Sequence, residues 1–542
     1  MSKRIVIVGG VAGGMSAATR LRRLDETAEI VVFERGPFVS FANCGLPYHI
    51  GGEIADRAKL IVQTPERLHS VFNLDIRANT EVLSVQPTEK TITTATGTER
   101  YDELILATGT TAVMPDVPGI GLPGHFTLRT IPDLDAILAW IQTKNAKTAL
   151  VLGGGFIGLE AAEQLHRRGL AVTIIERNPQ VLTALDPEMA SHLHAELKKH
   201  GVAVRLSNPV AAFDGCGATL QSGERIPADI VIIGVGVKPN TALAKAAGLD
   251  IGVSGGILVN AQLRTSDTHI WAVGDAIEVT HGATLAPAVI PLAGPANRQG
   301  RIVADNICGL NSRYQGTLGT AIVRVFDVVA GCTGANETLL KKAGIVYEAI
   351  HLHPNSHAGY YPGAKSIALK ILFAPGDGRL LGAQAVGEDG VDKRIDVLAT
   401  ALYAGLTIDD LAELELAYAP PFGSAKDPIN LAGMASQNLL AGLVRVAQWY
   451  DVPKLLESGA VIVDVREPGE REGGILPGSL SIPLGELRSR LGELPKDREI
   501  LAHCASGQRS YNACRILMQH GFKCWNLTGS YKTWKAARGV SE

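Results

Sequence analysis

Apolar and polar positions along this chain fall into blocks that repeat. The stretch "KRIVIVGGVAGGMSAATRLRRL" opens with a β-branched run, passes through glycines and continues with apolar residues at helical spacing. "AEIVVFERG" then adds a second apolar strand, ending at Glu34. The block recurs as "KTALVLGGGFIGLEAAEQLHRRGLAVTIIERN", whose second strand closes at Glu176. Two further runs, "YDELILATGT" and "TSDTHIWAVGDAIEV", each end in a turn of small residues. From about residue 446 the pattern restarts: a strand ends in Asp464 and Arg466, and a later one ends at Cys504 before a short loop and a helix. Strands alternating with helices predict an α/β fold built on parallel sheets.

Strand, glycine turn, helix, strand and terminal acid form the order of a dinucleotide-binding unit. In the first copy Gly9 and Gly14 hold the outer positions of G-x-G-x-x-G, with Ala12 and Gly13 in the turn, but Val11 takes the place of the middle glycine. The second copy has all three, Gly153, Gly155 and Gly158, flanking Phe156 and Ile157. A pyrophosphate would lie over N–H groups at each helix N-terminus, while Glu34 and Glu176 accept hydrogen bonds from ribose hydroxyls. An acid at Glu176 repels a 2′-phosphate and so favours NADH, although Arg177 next to it leaves NADPH possible.

A length of 542 residues predicts three or four domains. A net charge of −3 offers no global basic field for nucleic acid or anionic lipid. The N-terminus runs straight into a strand without a signal-peptide pattern, and no apolar run is long enough to span a bilayer, so a cytoplasmic protein is expected. The 7 cysteines are odd in number and lack zinc-type C-x-x-C pairs, which fits a reducing compartment and predicts no metal site.

Cys44 stands in "FVSFANCGLPYHIGG", where a C-x-x-x-x-C pair would need a cysteine at His49 or Val39. Redox chemistry at such a thiol must pair it with a small thiol or stop at sulfenate or persulfide. The glycine and short helical turn after Cys44 predict N–H groups that lower its pKa. Arg20 and Arg23, three apart on the helix leaving the first turn, offer positive charge for a phosphorylated ligand. In "CASGQR", inward N–H groups and Arg509 would stabilise a thiolate or persulfide at Cys504. A cysteine phosphatase loop places its Arg one residue later, so this smaller cradle suits sulfur better than phosphate.

The order GGVAGG, ATG, GGGFIG, VGD resembles the two-dinucleotide flavoprotein disulfide reductases of the pyridine nucleotide-disulfide oxidoreductase family, over roughly residues 1 to 440. That resemblance implies FAD held by the first turn, Glu34, Arg35, Ala107, Thr108, Gly109, Gly274 and Asp275, with Asp275 on the ribitol. It divides the chain into a discontinuous FAD-binding domain (1–116 and 241–320), an NAD-binding domain (117–240) and an α+β dimerisation domain (321–440). "SFANCGLPYHIGG" resembles the single-cysteine motif of the CoA-disulfide reductases, which implies a homodimer, a CoA site at Arg20, Arg23, Ser40, Asn43 and Lys365, and two assisting tyrosines, mapped to Tyr361 and Tyr418. Residues 446–542 resemble the α/β rhodanese domain. Together these resemblances imply an NADH-dependent reductase of CoA persulfide or polysulfide, fed with sulfane sulfur at Cys504. CoA-disulfide reduction and a flavin-based sulfur or peroxide sensor are the alternatives.

Overall fold

The computed structural model describes residues 2–539. They form two compact units, one of the residues up to 178 together with 202–319, the other of residues 179–201 together with those from 320 onward. The helix Pro187–Lys199 thus belongs with the second unit, although it lies inside the span that the sequence assigns to NAD binding.

The first unit carries two five-stranded parallel sheets. One has the order Ile270–Ala272, Glu103–Leu106, Arg4–Val8, Glu29–Phe33 and Asp75–Arg77. Chain that is distant in sequence therefore returns to complete the first nucleotide sheet. The central strand is buried on both faces, as an unbroken β-branched run demands. The helices Ala12–Leu24 and Ala293–Ile307 approach so closely that a Cβ on Gly300 would lie 2.4 Å from the Gly13 carbonyl oxygen. The second sheet has the order Ala203–Leu206, Ala171–Glu176, Thr148–Leu152, Ile230–Ile233 and His125–Phe126.

In the second unit an antiparallel sheet runs Ala321–Val325, Val328–Gly334, Leu380–Gly387, Ile367–Phe373 and Glu348–Leu352. The helix Val391–Ala404 packs its apolar stripe on it. Buried in this sheet is Lys370, whose Nζ lies 2.8 Å from Asp186, 2.6 Å from Glu188 and 2.6 Å from Glu337. The C-terminal part is a five-stranded parallel sheet in the order Arg445–Ala447, Lys523–Leu527, Glu499–His503, Val461–Asp464 and Leu480–Ser481. Among the described residues no helix is long and apolar enough to cross a membrane.

Candidate active site

Both glycine turns have the form that a pyrophosphate needs. Gly9 has φ +109°, and a Cβ on Gly14 would fall 1.9 Å from the Gly9 carbonyl oxygen, so strand and helix meet only through glycine. Val11 is the N-cap at φ −111°, which requires no glycine, and this explains how the departure from the motif is accommodated. In the second turn a Cβ on Gly158 would lie 2.0 Å from the Gly153 oxygen, whereas one on Gly155 would project into open space. Among the described residues no side chain caps either helix, and neither first turn carries an acid. Uncapped N–H groups and that cleared space suit a dianionic pyrophosphate.

The two acids are held by the turns they serve. Glu34 accepts hydrogen bonds from the N–H groups of Gly10 and Gly36, both at 2.8 Å. Glu176 accepts one from Gly154 at 2.8 Å and two from Asn178, at 2.9 and 2.7 Å. Each carboxylate keeps acceptor capacity for ribose hydroxyls. Ala107, Thr108 and Gly109 follow the strand Glu103–Leu106; Gly109 adopts φ +63°, and Thr108 donates to the Asn240 carbonyl at 2.7 Å. Gly274, at φ +81°, places Asp275 in a site where burial raises the carboxyl pKa against the opposing influence of Arg129 and Thr110. Arg35 is exposed. These features fit FAD at the first turn and NAD(H) at the second.

Cys44 lies in the turn Asn43–Gly45, ahead of the helix Leu46–Ile50. Its loop is fixed to the first glycine turn through Ser40, which adopts the left-handed φ of +46° and donates its N–H to the Gly10 carbonyl at 2.8 Å. Asn43 Oδ1 accepts from the Cys44 N–H at 3.0 Å and from the thiol at 3.6 Å. Cys44 is exposed in the single chain, yet protein around Sγ makes burial the largest influence on the thiol. Burial, then Glu160, then Asp275 raise its pKa, and only its own backbone N–H opposes them. The lowered pKa expected from the sequence is therefore corrected: burial, reinforced by Glu160 and Asp275, outweighs the N–H contribution at this thiol.

Glu160 is a site residue that the sequence reading missed. It accepts a hydrogen bond from the Tyr48 hydroxyl at 2.9 Å, and burial holds its carboxyl above the ordinary range. Its signal was present, two residues after Gly158, with Tyr48 inside the cysteine motif. Of the residues assigned to CoA, Arg20 is engaged by Asp305 at 2.7 Å, Arg23 is exposed, and Lys365 pairs with Glu388 at 2.6 Å. The phenol that meets Tyr418 is Tyr360, with hydroxyls 3.1 Å apart. Tyr361, named from the sequence, instead sets its ring edge-on to His357.

Cys504 follows the strand Glu499–His503 and is only 1% exposed. The N–H of Gly507 donates to Sγ at 3.1 Å and the Ser510 hydroxyl at 3.4 Å. Burial alone would raise this thiol's pKa, but the Ser510 hydroxyl and the N–H groups of Ser510, Gly507 and Ser506 bring it below the ordinary value. Arg509 is spent largely on Glu470, with two contacts of 2.6 Å. Backbone and Ser510 therefore do most of the work assigned to Arg509.

Comparison with known proteins agrees with this geometry. Residues 3–300 match the pyridine nucleotide-disulphide oxidoreductase family, 320–427 its dimerisation domain and 449–537 the rhodanese-like domain. A coenzyme A disulfide reductase of Staphylococcus epidermidis is 37% identical over 445 residues, which cover 80% of this chain and 100% of that protein. The crystal structure of reduced Bacillus anthracis CoADR-RHD superposes with a TM-score of 0.98 at 48% identity, covering 99% of this chain and 98% of that one. An NAD-dependent persulfide reductase from A. fulgidus gives 0.92 at 38% identity, covering 98% and 100%. The chain belongs to the pyridine nucleotide-disulphide oxidoreductase family, extended by that family's dimerisation domain and by a rhodanese-like domain.

Proposed function

We propose that this protein is an NADH-dependent reductase of CoA persulfide and CoA disulfide, with the rhodanese-like domain supplying sulfane sulfur. The observation that carries this reading is the presence in one chain of Cys44, beside a flavin-type turn, and Cys504, in a loop whose donors point at sulfur. FAD, when bound, supplies the path for two electrons from NADH. The Cys44 thiolate attacks the CoA sulfur, forming a Cys44–CoA disulfide and expelling sulfide from a persulfide or CoA thiolate from CoA disulfide. Both substrates thus converge on one adduct. Two electrons and protons then regenerate the Cys44 thiol and release CoA. The Tyr360–Tyr418 pair supplies phenolic protons, a role the sequence reading gave to Tyr361 and Tyr418.

Glu176 supports NADH over NADPH, because its carboxylate occupies the position a 2′-phosphate would approach. Arg20, Arg23, Ser40, Asn43 and Lys365 form the proposed CoA site, and the dimerisation domain supports a homodimer. The test is steady-state NADH oxidation with CoA persulfide, polysulfide and CoA disulfide, measuring CoA and sulfide released. The expected result is turnover with the CoA substrates that Cys44→Ser abolishes while NADH still bleaches the flavin. No turnover with any of the three, or full turnover in the variant, overturns the reading.

A further inference from the structure

The rhodanese-like part of the chain docks on the free edge of the antiparallel sheet, and the segment that docks is the one that supports Cys504. In the edge strand Glu348–Leu352, the outward backbone groups belong to Ala349 and His351. The Ala349 carbonyl accepts from Gln448 Nε2 at 2.8 Å. The His351 N–H donates to Thr528 Oγ1 at 2.8 Å, and that hydroxyl donates back to the His351 carbonyl at 3.3 Å. A side chain thereby completes an edge that would otherwise expose unpaired ladder groups. Just beyond the strand, His353 Nε2 lies 2.8 Å from Thr533 Oγ1.

Thr528 leads through a tight turn into the helix Ser530–Arg538, whose first turn carries Thr533. Gly529 has φ +63°, and a Cβ there would lie 2.0 Å from Thr533 Oγ1 and 2.8 Å from the His351 Cβ. Ser530 follows at φ +55°, a conformation unfavourable for a non-glycine residue that persists only where neighbours enforce it. The inner side of the turn holds the Cys504 loop. Ser530 Oγ accepts from the Cys504 N–H at 2.8 Å and lies 3.3 Å from Ser510 Oγ, the hydroxyl that reaches Cys504 Sγ. The Tyr531 and Lys532 N–H groups donate to the carbonyls of Cys504 and Ala505 at 3.1 and 3.0 Å.

We propose that the edge strand of the dimerisation sheet is a positioning element for Cys504, acting through His351–Thr528 and His353–Thr533 on the Ser530 turn. Neither threonine touches the reacting sulfur. Both hold the turn that sets Ser530 Oγ, and Ser530 orients the Cys504 backbone and the Ser510 hydroxyl. The proposal rests on the assignment of Cys504 as a sulfur-carrying thiol. Its test reads Cys504 directly and does not depend on CoA being the carrier.

In the full-length holoenzyme, iodoacetamide labelling of the Cys504 peptide is followed by mass spectrometry, with Cys44 in the same molecule as internal reference. Thr528→Val and Thr533→Val, which keep shape but lose the hydroxyl, should each slow Cys504 labelling about three- to tenfold. Cys44 labelling and NADH-driven CoA-disulfide reduction should be unchanged. Thr528→Ser and Thr533→Ser should restore the Cys504 rate. If one valine variant does not fold, the other carries the test, with circular dichroism as the check. Unchanged Cys504 labelling in a folded valine variant overturns the proposal, as does a serine variant as slow as its valine counterpart, since packing alone would then matter. If labelling responds as expected but CoA turnover is absent, the proposed function fails and this inference stands.

Discussion

Cys44 and Cys504 are thiols of opposite electrostatic character. Burial, then Glu160 and Asp275, disfavour charge on the first, whereas on the second Ser510 and three N–H groups outweigh burial and favour it. Thiols alkylate as thiolates, so Cys504 labelling should reach half its maximum below the ordinary thiol value of 9.0 and Cys44 labelling above it. Peptide-resolved labelling across a pH series measures both midpoints. Ser510→Ala should move the Cys504 midpoint up by about 1 to 2 pH units, the worth of a hydrogen bond to a charged group, and leave that of Cys44 in place. The tyrosines allow an equally direct comparison. Because Tyr360 is the hydroxyl within 3.1 Å of Tyr418, Tyr360→Phe and Tyr418→Phe should both slow sulfur reduction by about 10²-fold in rapid mixing. Tyr361→Phe should do so far less.

At the scale of elements, the first glycine turn is tightly constrained. A Cβ on Gly14 would meet the Gly9 carbonyl oxygen at 1.9 Å, and backbone cannot yield as a side-chain tip can. Gly14→Ala should therefore separate strand Arg4–Val8 from helix Ala12–Leu24, lower stability by about 1 to 3 kcal/mol and yield protein depleted of FAD. Flavin absorbance per chain after purification checks it. The contrast with Gly155 is informative: with open space at its Cβ position, Gly155→Ala should fold normally and lose NADH affinity, since the methyl would occupy the pyrophosphate's room.

Across the second unit, Lys370 is the charge on which three buried carboxylates depend. Glu188 and Glu337 are held below their ordinary range, each against its own burial and chiefly by Lys370, whereas burial of Asp186 prevails and raises its pKa. Lys370→Met should cost about 3 to 5 kcal/mol in urea unfolding, because it leaves those carboxylates uncompensated. The pH dependence has a definite sign. Glu337 titrates at about 2 when folded against an ordinary 4.5, so its contribution is complete above about 4.5 and is lost as the pH falls towards 2. Asp186 acts in the opposite direction over its own range. In Lys370→Met the trend should reverse, acid stabilising the variant by neutralising the cluster.

Local pattern alone determined much of this protein. Two glycine turns with terminal acids, the cysteine motif, and the restart near residue 446 all declare their elements within a few residues, since strand burial, turn conformation and helix amphipathicity are short-range demands. Val11 shows how tolerant such a motif is, and only its backbone angle explains why. The tertiary structure decided what distance along the chain conceals. Tyr360 and Tyr361 are indistinguishable as letters, and the fold of their turn selects the one that meets Tyr418. The acidity of Cys44 reverses from its local expectation because packing buries the thiol and brings Glu160 and Asp275, remote in sequence, towards it. Ser530, which orients the Cys504 loop, belongs to a turn braced by another sheet's edge. Electrostatic and hydrogen-bond effects act through space over a few ångströms, so the residues that tune a thiol are set by packing and not by proximity in the chain.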